Sequence, residues 1–108
     1  MFKINIKALS VNLAWQGKRF KTKKYKYYIT EMMYILPPLK VSKNKLTLEV
    51  TFGFSCEKSD IDNPLKCFID CLEKKYKFND KMIFKLIVEK EIVEKGSEFI
   101  SFSLYDKI

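Results

Sequence analysis

The sequence predicts an α+β fold: a single small mixed sheet with two helices packed on it, in the order β-α-β-α-β-β. Three observations predict it. Apolar and polar residues alternate with period two at the start, in the middle and toward the end of the chain. Two intervening stretches instead repeat their apolar residues every three or four positions, the period of a helix. The 108 residues contain no internal repeat and no linker, so residues 1–108 are expected to form one domain.

Phe2, Ile4 and Ile6 alternate with Lys3, Asn5 and Lys7, which predicts an opening strand. Ala8–Thr22, holding Gly17, reads as a loop. Lys23–Leu36 reads as a helix, because Tyr25, Tyr28, Ile29, Met32 and Leu36 form one apolar stripe. Pro37-Pro38 stops it, since proline cannot donate the next helical hydrogen bond. Leu46, Leu48, Val50, Phe52 and Phe54 alternate with Thr47, Glu49, Thr51 and Gly53, the clearest strand of the chain. After a polar turn at Ser55–Asp60, Asp62–Tyr76 reads as a second helix, with Asp62 as N-cap and Pro64 in its first turn. Met82–Val93 and Glu98–Tyr105 are two β-rich runs around Glu94-Lys95-Gly96, a hairpin signal. In the last run Phe99 and Tyr105 lie opposite Ile100, Phe102 and Leu104, so that strand reads as apolar on both faces, as central burial or a subunit interface would need.

Composition removes several function classes. Hydrophobic residues make up 47% and charged residues 31%, a globular balance. The longest uncharged apolar stretch, Met32–Leu39, holds two prolines and is too short to span a bilayer. Met1–Ile6 does not resemble a signal peptide, so a cytoplasmic protein with no membrane partner is expected. There is no histidine, which excludes Ser-His-Asp and Cys-His catalysis and His-ligated zinc. Cys56, Cys67 and Cys71 are odd in number and lack C-x-x-C spacing, so reduced thiols without a site are expected.

Charge points to a polyanionic partner. The net charge is +8, and it is uneven: residues 1–58 hold 12 basic and 3 acidic residues, while residues 59–108 hold 9 and 10. Nucleic acid is the usual partner of such a half. The run Lys18-Arg19-Phe20-Lys21-Thr22-Lys23-Lys24-Tyr25-Lys26-Tyr27-Tyr28 holds six basic residues and four aromatics. Its Lys18, Arg19, Lys21, Lys23 and Lys24 are candidates for phosphate contacts, which give affinity without sequence information. Tyr25 and Tyr28 belong to the apolar stripe and are expected in the core. Phe20 and Tyr27 are free to stack on unpaired bases. A lysine-rich, solvated helix start would present the same run.

The acidic residues of the second half cluster. At about 100° per residue, Asp62, Lys66 and Asp70 share one stripe of the second helix, opposite Leu65, Phe68, Ile69, Leu72 and Tyr76. Asn63 borders that stripe, Asp60 precedes it, and Asp80 follows in the loop before the next strand. Oxygen ligands of this kind suit a hard divalent cation such as Mg²⁺. Such an ion polarises a phosphodiester and activates water, and a nearby lysine stabilises the developing charge. The same residues also fit a helix cap followed by two i,i+4 ion pairs on a solvated face.

Taken together, Ser10-Val11-Asn12, the basic Gly17-Lys18-Arg19, the Lys-Tyr helix, the block Asp60-Ile61-Asp62-Asn63-x-x-Lys66-x-x-x-Asp70-x-Leu72 and Asn79-Asp80 before a strand resemble the RusA-type Holliday junction resolvases, in order and over nearly the whole chain. The resemblance implies a homodimeric, Mg²⁺-dependent endonuclease, with Mn²⁺ as a substitute and no other small-molecule cofactor. It implies paired symmetric nicks in four-way DNA junctions, in recombination and repair, within a bacterial host cell and often from a phage or prophage. By motif position Asp60, Asp62 and Asp80 are its metal-binding carboxylates, Lys66 its catalytic lysine, and Asn63 and Asp70 supporting residues. Asn12 joins the basic residues as a DNA contact. The chain departs from the family pattern at Asn79, where a second Asp is common. A non-catalytic DNA-binding module, or a nuclease acting on other branched DNA, is the alternative. Paired nicks need two sites, so a dimer is expected, with its contact on the closing strand or the first long helix.

Overall fold

A computed structural model describes residues 1–16 and 20–107. In chain order the elements are β1 (Phe2–Ile4), α1 (Val11–Ala14), β2 (Trp15–Gln16), β3 (Phe20–Lys21), α2 (Lys23–Ile35), β4 (Leu46–Phe54), α3 (Leu65–Tyr76), a 3₁₀ turn (Asp80–Met82), β5 (Ile83–Ile92) and β6 (Phe99–Asp106). The architecture is the expected α+β one. A four-stranded mixed sheet runs β1-β6-β4-β5, and β2 and β3 form a separate small ribbon.

β4 is the spine of the sheet. It pairs antiparallel with β6 along Leu46–Gly53 and parallel with β5 along its whole length. A parallel neighbour requires a crossover, and α3 with its flanking loops supplies it. Leu46, Leu48, Val50 and Phe52 point to one face and are all buried, with Ile4, Ile100, Phe102 and Leu104 of the neighbouring strands. The two long helices close this face. α2 contributes Tyr25, Tyr28, Met32 and Leu36, the predicted stripe, and α3 contributes Cys67, Phe68, Cys71 and Leu72. Phe68 sits edge-on to Phe52 and Phe102 at ring-centroid distances of 6.0 and 5.4 Å, so one aromatic joins α3 to two strands.

Three expectations are corrected. Ala8–Thr22 is more than a loop: Ser10 accepts from the Asn12 amide to start α1, and Trp15 pairs with Lys21. Thr22 then caps α2 by accepting from the Tyr25 amide, while its hydroxyl donates to the Leu13 carbonyl at 2.7 Å. That one residue ties α1 to α2, a contact local periodicity does not report.

The second long helix begins at Leu65, not at Asp62, which is therefore not its N-cap. Pro64 disfavours helical backbone at the residue before it, so Asp60–Asn63 form turns instead.

The last two strands do not form a hairpin with each other, because β4 lies between them. β4 is buried along most of its length, so its backbone N–H and C=O groups need hydrogen-bonding partners on both edges. The six residues Val93–Glu98 can reach roughly 20 Å, ample to step over one strand. β6 is consequently central, and its second face carries Ser101 and Ser103 between Phe99 and Tyr105, so it is apolar there only at its ends.

Candidate active site

The loop between β4 and α3 is held from several directions. Lys90 of β5 donates to the carbonyls of Glu57 and Ser59, both at 2.8 Å. Ser55 donates to Glu98 at 2.8 Å. The Asn63 amide and the Leu65 amide donate to the carbonyls of Asp60 and Asp62, closing successive turns. The Asn63 side chain donates to the Asp60 carboxylate at 3.2 Å, and the Asn63 carbonyl accepts from the Val11 amide at 2.8 Å. Asp60 and Asp62 are thus presented, exposed, on a turn braced by α1 and by β5.

One helical turn further on, Lys66 reaches two carboxylates. Its Nζ lies 3.0 Å from Asp70 and 3.5 Å from Asp80. Asp70 is its i,i+4 neighbour; Asp80 returns from the far end of α3. The return has local causes. Lys77 ends α3 in the left-handed conformation with φ 58°. Asn79 then caps the 3₁₀ turn by accepting from the Lys81 amide, and the Asp80 amide donates to Glu73 at 3.1 Å. Asn79 therefore acts on the backbone here. On the other side, the buried Tyr25 hydroxyl donates to Asp70 at 3.2 Å, linking α2 to the cluster.

The electrostatics follow from these contacts. The hydrogen bond to Asp70 holds the Lys66 ammonium above its ordinary pKa, against partial desolvation, and the charges of Asp70 and Asp80 add to the effect. Burial raises the Tyr25 phenol well above its usual value, reinforced by the charge of Asp70. Burial likewise pushes Cys67 up to about 11 and Cys71 up to about 12, so neither supplies a thiolate at neutral pH.

The structure gathers Lys66, Asp70 and Asp80, with Asn63 bonded to Asp60 on the adjacent turn. Among the described residues no three carboxylates or thiols are grouped closely enough to hold a metal ion. The donor chemistry of Asp60, Asp62 and Asp80, exposed or half-exposed and oxygen only, fits a hard divalent cation. In this arrangement the cation that meets Asp80 is the Lys66 ammonium.

Beside Asp60 lies a cavity of about 250 Å³, lined by Lys7, Ser10, Leu13, Phe54 and Pro64 among others. A wider groove of about 460 Å³ shares Lys7, Ala8 and Leu13 with it and continues to Lys24 and Tyr27. Lys18 and Arg19 lie outside the described residues. Asn12 is exposed on α1, and Lys23 and Lys24 on the first turn of α2. Lys21 is exposed, its Nζ 5.4 Å from the Tyr25 ring centroid. Tyr27, expected to be free, is 73% exposed. Lys7, Glu73, Lys90 and the hydroxyl of Tyr25 emerge only from the folded chain. Each acts on a residue distant in sequence or lines a space between elements, which period and motif do not signal.

A protein-family model described as Endodeoxyribonuclease RusA matches residues 7–100. A search of curated proteins finds no match.

Proposed function

On the premise that the chain belongs to the RusA endodeoxyribonuclease family, we propose that it is a Mg²⁺-dependent enzyme that resolves four-way DNA junctions by paired symmetric nicks, in recombination and repair. The observation that supports this best is the contact of Lys66 with Asp80, fourteen residues on, beside the turn that bears Asp60 and Asp62. Asp80 is thereby brought from beyond the far end of α3 back to the helix's first turn, which Asp60 and Asp62 precede in sequence, a return that a solvated helix start would not need.

In this reading Asp60, Asp62 and Asp80 hold the ion, with Mn²⁺ as a substitute. When bound, it supplies a polarising charge and an activated water. The chain's own residues do the rest. Lys66 places a positive charge beside the phosphate, where negative charge develops as the P–O bond breaks. Asp70 and Tyr25 are positioning residues: together they fix the direction of the Lys66 side chain. Glu73 fixes the Asp80 backbone and so the return of that carboxylate. Lys21, Lys23, Lys24 and Asn12, with Lys18 and Arg19, contact phosphates. Lys7, Leu13 and Tyr27 line the groove that leads from Asp60 toward them, a path suited to a strand with unstacked bases. One chain carries one such cluster, so two symmetric nicks require a homodimer.

The test is cleavage of a synthetic four-way junction and of a matched linear duplex, with Mg²⁺ or with EDTA. Paired nicks in the junction alone, abolished by EDTA, are expected. Tight junction binding without cleavage under any divalent ion would instead leave a DNA-binding module.

A further inference from the structure

The single tryptophan of the chain, Trp15, stands outside the hydrophobic core and is 38% exposed. Its support is nonetheless firm. Trp15 pairs with Lys21 in the β2–β3 ribbon, and the Thr22 amide donates to the Ala14 carbonyl at 2.9 Å. Its ring meets that of Tyr25 at 74° with centroids 5.6 Å apart, so Tyr25 covers at most one indole face. Tyr25 is itself fixed by its bond to Asp70. A large aromatic held this way gives up little freedom when something stacks on it.

Beside Trp15 lies a cavity of about 170 Å³, whose walls also include Lys21, Tyr25, Asp70, Cys71 and Lys74. Lys21 comes from the ribbon and Lys74 from the last turn of α3, and both are exposed. Both ammoniums lie near the Cys71 thiol, since their charges pull its pKa down against burial. Among the described residues neither is ion-paired with a carboxylate. The one acid of the cavity, Asp70, is already taken up by Lys66 at 3.0 Å and by the Tyr25 hydroxyl at 3.2 Å.

A flat aromatic wall flanked by two cations has the chemistry of a nucleotide: a π-face for the base and positive charge for its phosphates. The space is too small for a cofactor or drug-sized ligand and suits one flat ring. Stacked bases of a linear duplex hide their faces from the indole, whereas a branch point or a single strand offers them. Through Asp70 the cavity adjoins Lys66, so a strand seated there continues toward the candidate active site.

We propose that Trp15, Lys21 and Lys74 form a subsite for one unpaired nucleotide of the DNA, the indole stacked on its base and the two ammoniums on its flanking phosphates, and that this contact favours branched over linear DNA. The proposal rests on the reading of the chain as a nuclease of branched DNA and names a contact by which it selects that substrate.

The experiment follows the emission of Trp15 in EDTA, so that nothing is cut, while anisotropy of end-labelled DNA reports binding. The probes are an oligothymidylate, a synthetic four-way junction and a blunt linear duplex. Quenching is expected as the oligothymidylate or the junction saturates the protein, and none with the duplex. Trp15→Ala should weaken binding of the first two about tenfold and leave the duplex unchanged, whereas loss of a merely structural residue would weaken all three. Trp15→Phe should keep most of the affinity, and Lys74→Ala should flatten the salt dependence of single-strand binding by about 0.7 in log–log slope. Circular dichroism would show the variants folded. Saturable junction binding with unchanged emission, or equal losses on all three DNAs, would overturn the proposal and leave the nuclease reading standing. A chain that binds none of the three would overturn both.

Discussion

Lys66 pairs with two carboxylates, and the two contacts differ in kind. The Asp70 pair is close and partly shielded; the Asp80 pair is longer and more open. We expect Lys66→Ala to lower the cleavage rate about 10²–10³-fold while junction affinity changes far less, as for loss of a charge that acts on the transition state. A loss confined to binding would make Lys66 one more phosphate contact. The pH dependence has a definite sign. The folded pKa of Lys66 is raised, so its ammonium persists at and below the ordinary lysine pKa and is lost only as pH rises through the higher folded value. Any alkaline decline caused by Lys66 should therefore fall above the ordinary lysine range, and a rate profile of the wild type measures it. Lys66–Asp70 was legible from spacing. The Tyr25 hydroxyl was not, because its position in an apolar stripe reports burial and says nothing of a partner 45 residues away.

At the level of elements, β4 shows how closely neighbouring strands are fitted. A Cβ placed on Gly53 would lie 2.3 Å from two atoms of the Phe99 ring, which itself packs under Lys3 with its Nζ 4.6 Å from the ring centroid. Gly53→Ala should destabilise the fold by about 1–3 kcal/mol through overpacking, read as a lower denaturation midpoint. Adding Phe99→Leu should recover part of the loss; a fully neutral Gly53→Ala would show that the ring moves freely. The four strands of the main sheet and both long-helix stripes were legible, most clearly β4 and the helices, whose apolar periods match the faces they bury, whereas β2 and β3 were not. The pairing of β5 and β6 was not. A turn signal identifies where the chain reverses, but whether a strand lies between the two arms depends on β4's need for two partners, a tertiary fact. The start of α3 was misplaced for a local reason, Pro64 acting on Asn63.

Across the molecule, positive charge is concentrated in the first half of the sequence and the acidic cluster at the turn into α3. No helix of the described residues is long and apolar enough to cross a membrane. Replacing Lys21, Lys23 and Lys24 with Ala should weaken junction binding. It should also flatten its salt dependence by about 0.9 in log–log slope per lost phosphate contact, measured by titration at several salt concentrations. An unchanged slope would place this face away from DNA. The candidate carboxylates were legible as a motif, whereas their bracing by Lys90, Glu73 and α1 was not, since it depends on how distant elements meet.

In the proposed reading these carboxylates cut DNA that the basic surface holds. Strand-resolved nicking of an end-labelled four-way junction, run beside a binding titration for Asp60→Asn, Asp62→Asn and Asp80→Asn, tests it most directly. Symmetric nicks are expected from the wild type in Mg²⁺. None is expected from any of the three variants, each of which should bind the junction as well or better, because a negative charge facing phosphate has been removed. Near-normal nicking by these variants, or a wild type that binds junctions and never cuts them, would contradict that reading.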